Sequence, residues 1–188
     1  MTTSGGGMLV TDDQELAEKA RYRATQAREP LPWYEHEEVG FNYRMSNILA
    51  ALGRVQLERL PQMIASRRRI REEYYSLFAV ASGIQLLNDP SWGPSNAWLS
   101  CIRIGRDSHP GGANMARTAL EKINVEARPV WKPMHQQPVF AGAEKLLTGV
   151  ADEIFSEGLC LPSGSRMTQG QTQVVVQSVL ATLGVNVK

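Results

Sequence analysis

Two of the three histidines lie in segments rich in aromatic residues and proline, a composition typical of ligand-pocket walls. His36 follows Trp33-Tyr34-Glu35, and His135 closes the run Trp131-Lys132-Pro133-Met134. Because rigid rings beside one titratable group can bind a ligand and hold a proton, both segments are candidate site walls. From composition alone, each histidine could equally be structural. His109 lies in a polar loop and carries no such signal.

Two other patterns have simpler interpretations. Gly5-Gly6-Gly7 could cradle a phosphate, but it precedes a predicted strand and no Gly-Lys-Ser/Thr follows, so a tight turn is favoured. Four arginines between Arg67 and Arg71 fall on a predicted helix, where successive side chains point in different directions. We therefore expect a solvated face there rather than an anion site. The sequence contains no His-Glu-x-x-His motif and no nucleophile elbow, and we expect no metal site.

Composition indicates an ordinary globular protein. The chain has 188 residues, is 43% hydrophobic and 21% charged, and carries a formal net charge of +1. Near-neutral charge gives no electrostatic argument for nucleic acid or an anionic membrane as a partner. No apolar run approaches the ~20 residues that span a bilayer, no signal peptide is evident, and a cytoplasmic location is expected. Cys101 and Cys160 lie far apart in sequence, so neither a disulfide framework nor a zinc cluster is indicated.

In the first half, caps and hydrophobic periodicity predict the elements that must position the aromatic segments. The long stretch 28–43 fits neither a helical nor a strand period, and its aromatic residues favour an ordered, functional loop. The predicted elements are a strand over 8–11, a helix from Gln14 to about Thr25 capped by Asp12 and Asp13, the loop 28–43, a helix capped by Ser46, and a further helical stretch over 62–78 that Pro61 starts or kinks.

In the second half, strands and helices alternate, which predicts a small α/β or α+β layer in which helices cover a short sheet. Together with the long helical segment, this gives an α/β fold class and two domains, 1–60 and 61–188. The predicted elements are strands over 97–104, 125–130 and 159–162, with helices over 114–122, 143–157 and 168–183, the last closed at Gly184.

Four sequence blocks, in order along the chain, resemble the DegT-type nucleotide-sugar aminotransferases. They are Thr2-Thr3-Ser4-Gly5-Gly6-Gly7-Met8-Leu9-Val10, the pair Tyr34-Glu35-His36 and Gly40-Phe41-Asn42-Tyr43-Arg44-Met45-Ser46-Asn47, the run Arg128 to Phe140, and Gly158-Leu159-Cys160-Leu161-Pro162-Ser163-Gly164. The family consists of fold-type-I enzymes that use pyridoxal phosphate. The second and third blocks point to the branch that acts on 4-keto-6-deoxy sugar nucleotides.

The resemblance covers only the C-terminal portion of the family fold, namely the end of the large domain and the small domain. In the family, the lysine that forms the Schiff base with the cofactor lies a few residues before the threonine pair, so it is expected outside this chain. No catalytic residue is therefore assigned here. Of the five lysines, only Lys132 has a site-like context, and its place in the small domain argues against a substitute role.

The resemblance also implies roles for four residues. Asn42 would reach the cofactor phosphate of a facing subunit, His36 and His135 would line the sugar-nucleotide pocket, and Trp131 would supply an apolar wall. The implied partners are a nucleotide sugar, an amino-acid donor such as glutamate, and a second copy of the chain or a separate N-terminal half.

Three functions stay open from the sequence. The first is the C-terminal portion of an aminotransferase, inactive alone. The others are a non-catalytic binding or regulatory module, and a half-enzyme complemented by another chain.

Overall fold

The computed structural model describes residues 1–185, so Lys188 and the end of the predicted domain 61–188 lie outside the described residues. The chain forms two compact units, Met1–Pro61 and the part from Gln62 onward. The elements in order are α1 (Gln14–Ala24), α2 (Asn47–Phe78), β1 (Ile84–Leu86), β2 (Ser100–Ile104), α3 (Gly112–Lys122), β3 (Arg128–Pro129), 3-10 turns at Met134–Gln136 and Pro138–Phe140, α4 (Val150–Glu157), β4 (Gly158–Leu161) and α5 (Gln169–Thr182).

Side-chain caps determine where α1 and α2 begin. The Asp13 carboxylate accepts a hydrogen bond from the Leu16 backbone N–H at 3.0 Å, and the predicted first helix is confirmed. The Ser46 hydroxyl accepts from the Leu49 N–H at 3.3 Å at the start of α2. Of the two alternatives for Pro61, the start of a separate helix is wrong, because α2 continues through it. In a helix of 32 residues, the other backbone hydrogen bonds outweigh the one that proline lacks.

The strand predicted over 8–11 is also wrong. The segment carries no strand pairing, and Met8 and Val10 are 88% and 86% exposed. A strand forms only where a neighbouring backbone satisfies its N–H and C=O groups. Among residues 1–61, as the structure describes them, the isolated backbone bridge joins Thr25 and Asn42 instead.

The second unit is built on a four-stranded antiparallel sheet in the order β1-β2-β4-β3. Side chains alternate across it, so Ser100, Ile102 and Ile104 point to one buried face, where Ile102 pairs with Leu159. Helices cover this face, as predicted. The buried hydrophobic core combines Ile70, Tyr74 and Phe78 of α2, Ile102 and Ile104 of β2, Ala116 and Leu120 of α3, Leu159 and Leu161 of β4, and Val175, Val176, Val179 and Leu180 of α5.

The arginines of α2 do not form the solvated face that we expected. Arg67 donates to the carbonyls of Trp98 and Ser163, at 2.6 and 2.9 Å, and Arg68 donates to that of Ser95 at 2.9 Å. Arg71 binds the Asp89 carboxylate with its two terminal guanidinium nitrogens, which holds the pKa of Asp89 below its usual value. These long side chains fix the loop that leads into β2.

Another boundary differs from expectation. The helix predicted over 143–157 begins only at Val150, after Gly149 at φ 84°. The final helix is confirmed: Thr168 and Gln171 form a reciprocal capping box, and Gly184 follows its end at φ 70°.

Candidate functional site

In the first unit, the end of the aromatic loop, defined as residues 28–43, is hydrogen-bonded to the end of α1. The Phe41 N–H donates to the Arg23 carbonyl at 2.7 Å, and the Tyr43 N–H donates to that of Ala24 at 3.0 Å. In return, the Gln26 N–H donates to the Phe41 carbonyl at 3.0 Å. These bonds order the loop without giving it a regular secondary structure.

Gly40 permits this pairing because the loop backbone passes directly over Gln26 and Ala27. A Cβ at position 40 would overlap the backbone atoms of both residues. Ala27 is fully buried, and both residues have positive φ, at 70° and 50°. The backbone of Gln26 and Ala27 therefore cannot move aside to accommodate a side chain at position 40.

We expect Gly40→Ala to open the aromatic loop locally. Forcing a methyl group against a fixed backbone costs about 1–3 kcal/mol, so amide hydrogens of residues 23–43 should exchange faster with deuterium. Gly7→Ala is the matched control, because a Cβ there meets nothing within 4 Å. Equal exchange in the two variants would contradict the steric role of Gly40.

Charged contacts hold the rest of the aromatic loop. The Tyr22 hydroxyl donates to Glu29 at 2.5 Å, which raises the pKa of Tyr22 to about 12. Arg23 pairs with Glu38 at 2.7 Å and lowers the pKa of that carboxyl. The loop aromatics themselves stay at the surface, with Tyr34 79% exposed.

His36 is exposed, and its ring is oriented by one backbone contact. Its Nδ1 lies 2.9 Å from the Gln26 carbonyl oxygen. Since a carbonyl can only accept, Nδ1 carries the proton and, in the neutral ring, Nε2 offers a lone pair. His36 can therefore accept a hydrogen bond from a ligand hydroxyl or amine at Nε2.

Asn42 presents a hydrogen-bond donor to solvent from a fixed backbone. Its main chain bridges to Thr25, whereas its exposed side-chain amide has no hydrogen-bond partner within residues 1–185. A neutral amide with two free N–H groups suits an anion such as a phosphate. On this donor set, Asn42 fits the cofactor-phosphate role that the resemblance implies.

The triple glycine takes the predicted tight turn. Ser4 and Gly6 have φ values of 66° and 110°, and the Thr3 hydroxyl donates to the Gly5 carbonyl at 2.7 Å. Residues 1–8 and the first part of α2 enclose a cleft of about 660 Å³, with Arg54 as its charged residue.

In the second unit, two tryptophans stand at one open cleft, which we call the tryptophan cleft. The rings of Trp98 and Trp131 lie 5.9 Å apart, inclined by 36°, and are 60% and 64% exposed. The cleft has a volume of about 510 Å³. Its walls are Trp98, Leu99, Glu126, Arg128, Pro129, Val130, Trp131, Lys132, Phe155, Cys160, Leu161, Pro162 and Ser163.

His135 does not line the tryptophan cleft, so the expectation that it shares one concave side with Trp131 is wrong. Its Nε2 lies 2.7 Å from Oδ1 of Asp152 in α4, and Gln136 donates to the same oxygen. Both hydrogen bonds lower the pKa of Asp152, the bond from Gln136 most strongly. The carboxylate accepts from Nε2 and thereby fixes the ring, which turns Nδ1 outward from this contact.

Sequence reasoning missed Trp98, Arg128 and Cys160 as members of one cleft. The alternating pattern predicts a strand for Trp98, yet it lies two residues before the start of β2. Of the four predicted site residues, His36 and Asn42 belong to the first unit, and Trp131 and His135 to the second.

Neither a metal cluster nor a membrane span is found in the part of the chain that the structure describes. Within residues 1–185, no group of three or more His, Cys, Asp or Glu side chains could hold a metal ion. None of the described helices is both long and apolar enough to cross a bilayer.

Comparison with known proteins identifies the family. EpsN of Bacillus subtilis (strain 168), by its name a pyridoxal phosphate-dependent aminotransferase, is 42% identical over 184 residues, which are 96% of this chain and 47% of EpsN. The GDP-perosamine synthase of Caulobacter vibrioides is 31% identical, over 95% of this chain and 48% of that protein. The aminotransferase TlmJ of Streptoalloteichus hindustanus has a similar structure, with a TM-score of 0.79 and 26% identity over 92% of this chain and 46% of TlmJ.

The chain thus spans about half the length of the curated relatives it matches. The family model for the DegT/DnrJ/EryC1/StrS aminotransferases matches residues 1–180. The match extends over both units and over all four predicted site residues. The chain therefore belongs to the DegT/DnrJ/EryC1/StrS aminotransferase family.

Proposed function

We propose that these 188 residues act as the C-terminal portion of a pyridoxal phosphate-dependent aminotransferase that aminates a 4-keto-6-deoxy sugar nucleotide, with an amino acid as the donor. One observation carries the reaction class, namely the family match over residues 1–180. The lysine that bonds to the cofactor is supplied outside these residues, and the protein works in the cytoplasm. The 31% identity to a protein named for GDP-perosamine favours a sugar nucleotide as the substrate.

Asn42 binds the cofactor phosphate in this proposal. Pyridoxal phosphate, when bound, supplies the electron sink that lets an amino group pass between donor and acceptor. The Asn42 amide donates to a phosphate oxygen, and the backbone bridge to Thr25 keeps this donor in place. Because the amide is neutral, it holds the anion without requiring a counter-charge to be desolvated.

The tryptophan cleft binds the nucleotide part of the substrate. Trp98 and Trp131 offer exposed ring faces on which a nucleobase can stack, a contact worth about 1–3 kcal/mol per base. Lys132 lines the same cleft and can pair with the diphosphate, and Arg128 can do so by exchanging the Glu126 carboxylate that it binds for a phosphate. Aromatic faces beside basic side chains match the chemistry of a sugar nucleotide.

The histidines contribute polar contacts with the sugar. His36 accepts at Nε2, since its Nδ1–H is engaged by the Gln26 carbonyl. His135 is held by Asp152, so its ring enters the complex with its orientation already fixed.

We expect the chain to associate with a second copy, or with the N-terminal half of the enzyme, through residues 33–47. Trp33 is 58% exposed, and Tyr34 and Tyr43 are nearly 80% exposed, at 79% and 78%. Contiguous apolar surface of more than a few hundred Å² usually marks an interface. Replacing Trp33 and Tyr34 by serine should shift sedimentation at high concentration toward the monomer.

Trp92→Ser is the matched control for this association, because Trp92 is 86% exposed in the second unit. It should leave the sedimentation profile unchanged. A monodisperse monomer in the unmutated chain, with no binding to an N-terminal half, would contradict the proposed interface.

Complementation tests the proposed function as a whole. The chain would be co-expressed with the N-terminal half of EpsN, and amino transfer from glutamate to a 4-keto-6-deoxy sugar nucleotide would be followed by mass spectrometry. We expect activity from the pair and a strong loss of activity with Asn42→Leu. A stable complex that binds sugar nucleotide but never transfers the amino group would instead identify a regulatory module.

A further inference from the structure

Cys101 of β2 and Cys160 of β4 face each other directly across the sheet. They are partners in the antiparallel register, and their Sγ atoms lie 3.5 Å apart. Both are free thiols. Their separation in sequence gave no hint of this contact, which the register of β2 against β4 creates.

Backbone hydrogen bonds define the kind of pair that the two cysteines form. The Leu87 N–H donates to the Cys101 carbonyl, and the Val130 N–H donates to that of Gly158. The N–H and C=O of one strand residue point to the same side, and the side alternates along the strand. The backbone groups of Cys101 thus point toward β1, and those of Cys160, two residues after Gly158, point toward β3.

Cys101 and Cys160 therefore form a non-hydrogen-bonded pair. In such pairs the Cα atoms lie about 4.5 Å apart and the side chains approach most closely. Disulfides occur at Cα separations of about 4.4–6.8 Å, with sulfurs about 2.0 Å apart. The two strands are accordingly close enough for a bond that needs only side-chain movement.

The pair lies beside the tryptophan cleft, although Cys160 itself is only 7% exposed. Ile102 and Leu159, the neighbours in sequence, point into the core, so the two cysteines point to the opposite face of the sheet. Cys160 is a wall residue of the tryptophan cleft, and Cys101 is partly exposed. A small reagent in the cleft can thus meet the thiols.

The two thiols are not equivalent. The two sulfurs lie within hydrogen-bonding distance, and either thiol can donate; with Cys101 as the donor, the bond lowers the pKa of Cys160. The same bond, together with burial, raises the pKa of Cys101. Because Cys160 is also the cysteine that lines the tryptophan cleft, it is the thiol that attacks a reagent bound there.

We propose that Cys101 and Cys160 form a dithiol site that undergoes thiol–disulfide exchange with a small-molecule disulfide in the tryptophan cleft. The Cys160 thiolate attacks one sulfur of the reagent, which forms a mixed disulfide and releases one reagent thiolate. Cys101 then loses its proton and attacks the Cys160 sulfur, which forms the Cys101–Cys160 bond and releases the second thiolate. Two protein thiols are oxidised, and one reagent disulfide is reduced to two thiols.

The test uses the 188-residue chain and bis(2-hydroxyethyl) disulfide. We expect the intact protein to lose two hydrogen atoms in mass, to yield a linked Cys101–Cys160 peptide, and to recover both thiols after dithiothreitol. A persistent hydroxyethylthio adduct on the unmutated chain would overturn the proposal. So would an intermolecular disulfide as the main product, or two thiols that stay free under conditions that oxidise dithiothreitol.

Single variants test the order of attack. Cys101→Ser should stop at the mixed disulfide on Cys160. Cys160→Ser should react more slowly, because the thiol that lines the cleft is gone and burial still raises the pKa of the remaining Cys101 thiol. Cys101→Ala and Cys160→Ala repeat the comparison with side chains that accept no hydrogen bond, and circular dichroism confirms that each variant is folded. Equal reaction rates at the two cysteines would overturn the assigned roles.

Discussion

The 188-residue chain, purified alone, is expected to transfer no amino group from glutamate to a keto-sugar nucleotide. A lysine that bonds to pyridoxal phosphate acts from a desolvated pocket or beside another cation, in a fixed position against the reactive carbon. Lys132 is the lysine with a site-like context, and it lies exposed at the tryptophan cleft. Incubation with pyridoxal phosphate, borohydride reduction and peptide mass spectrometry should find no lysine modified stoichiometrically.

Full-length EpsN is the positive control for this experiment, because it is 42% identical over the shared region. Lys132→Arg keeps the charge and removes the primary amine, so it should leave the background labelling of the other lysines unchanged. A stoichiometric adduct at Lys132 that Lys132→Arg abolishes, together with turnover of a keto sugar, would contradict the prediction. In that case, Lys132 itself would be the catalytic lysine.

Elements with local signals could be predicted from the sequence. Asp13 caps α1, and the Thr168–Gln171 capping box begins α5, because a helix end is fixed by side chains within one turn of it. The strand over 8–11 could not be judged in this way, since its stability depends on a partner backbone. Strand β1 is only three residues long, which is too short for an alternating pattern to be visible.

Contacts between distant parts of the chain were the main source of error. Helical spacing indicates that Arg67 and Arg71 point in different directions, but long guanidinium side chains reach the carbonyls and carboxylates of loops that the spacing does not describe. Trp131 was found from its composition, whereas its partner Trp98 follows only from the sheet order. The same holds for Asp152, which decides where the His135 ring lies.

Replacement of Trp131 by alanine should leave the fold nearly intact. Truncation of a buried tryptophan costs about 3–5 kcal/mol. Trp131 is 64% exposed, so its replacement by alanine mainly removes the contact with Trp98. Since such an aromatic pair is worth about 0.5–1.5 kcal/mol, the thermal midpoint should fall by only a few degrees.

In the complemented enzyme, Trp131→Ala should lower kcat/KM for the sugar nucleotide by about tenfold or more, mainly through KM, because stacking of one base contributes about 1–3 kcal/mol. His135→Ala should also raise KM without unfolding the protein, since Gln136 still donates to Asp152. Trp92→Ala and His109→Ala are matched controls, because neither residue lines the tryptophan cleft or binds Asp152. Severe unfolding of Trp131→Ala and His135→Ala would show that both side chains serve the core. Unchanged kinetics in a folded Trp131→Ala variant would remove the cleft from the substrate site, and unchanged kinetics in a folded His135→Ala variant would remove His135 from it.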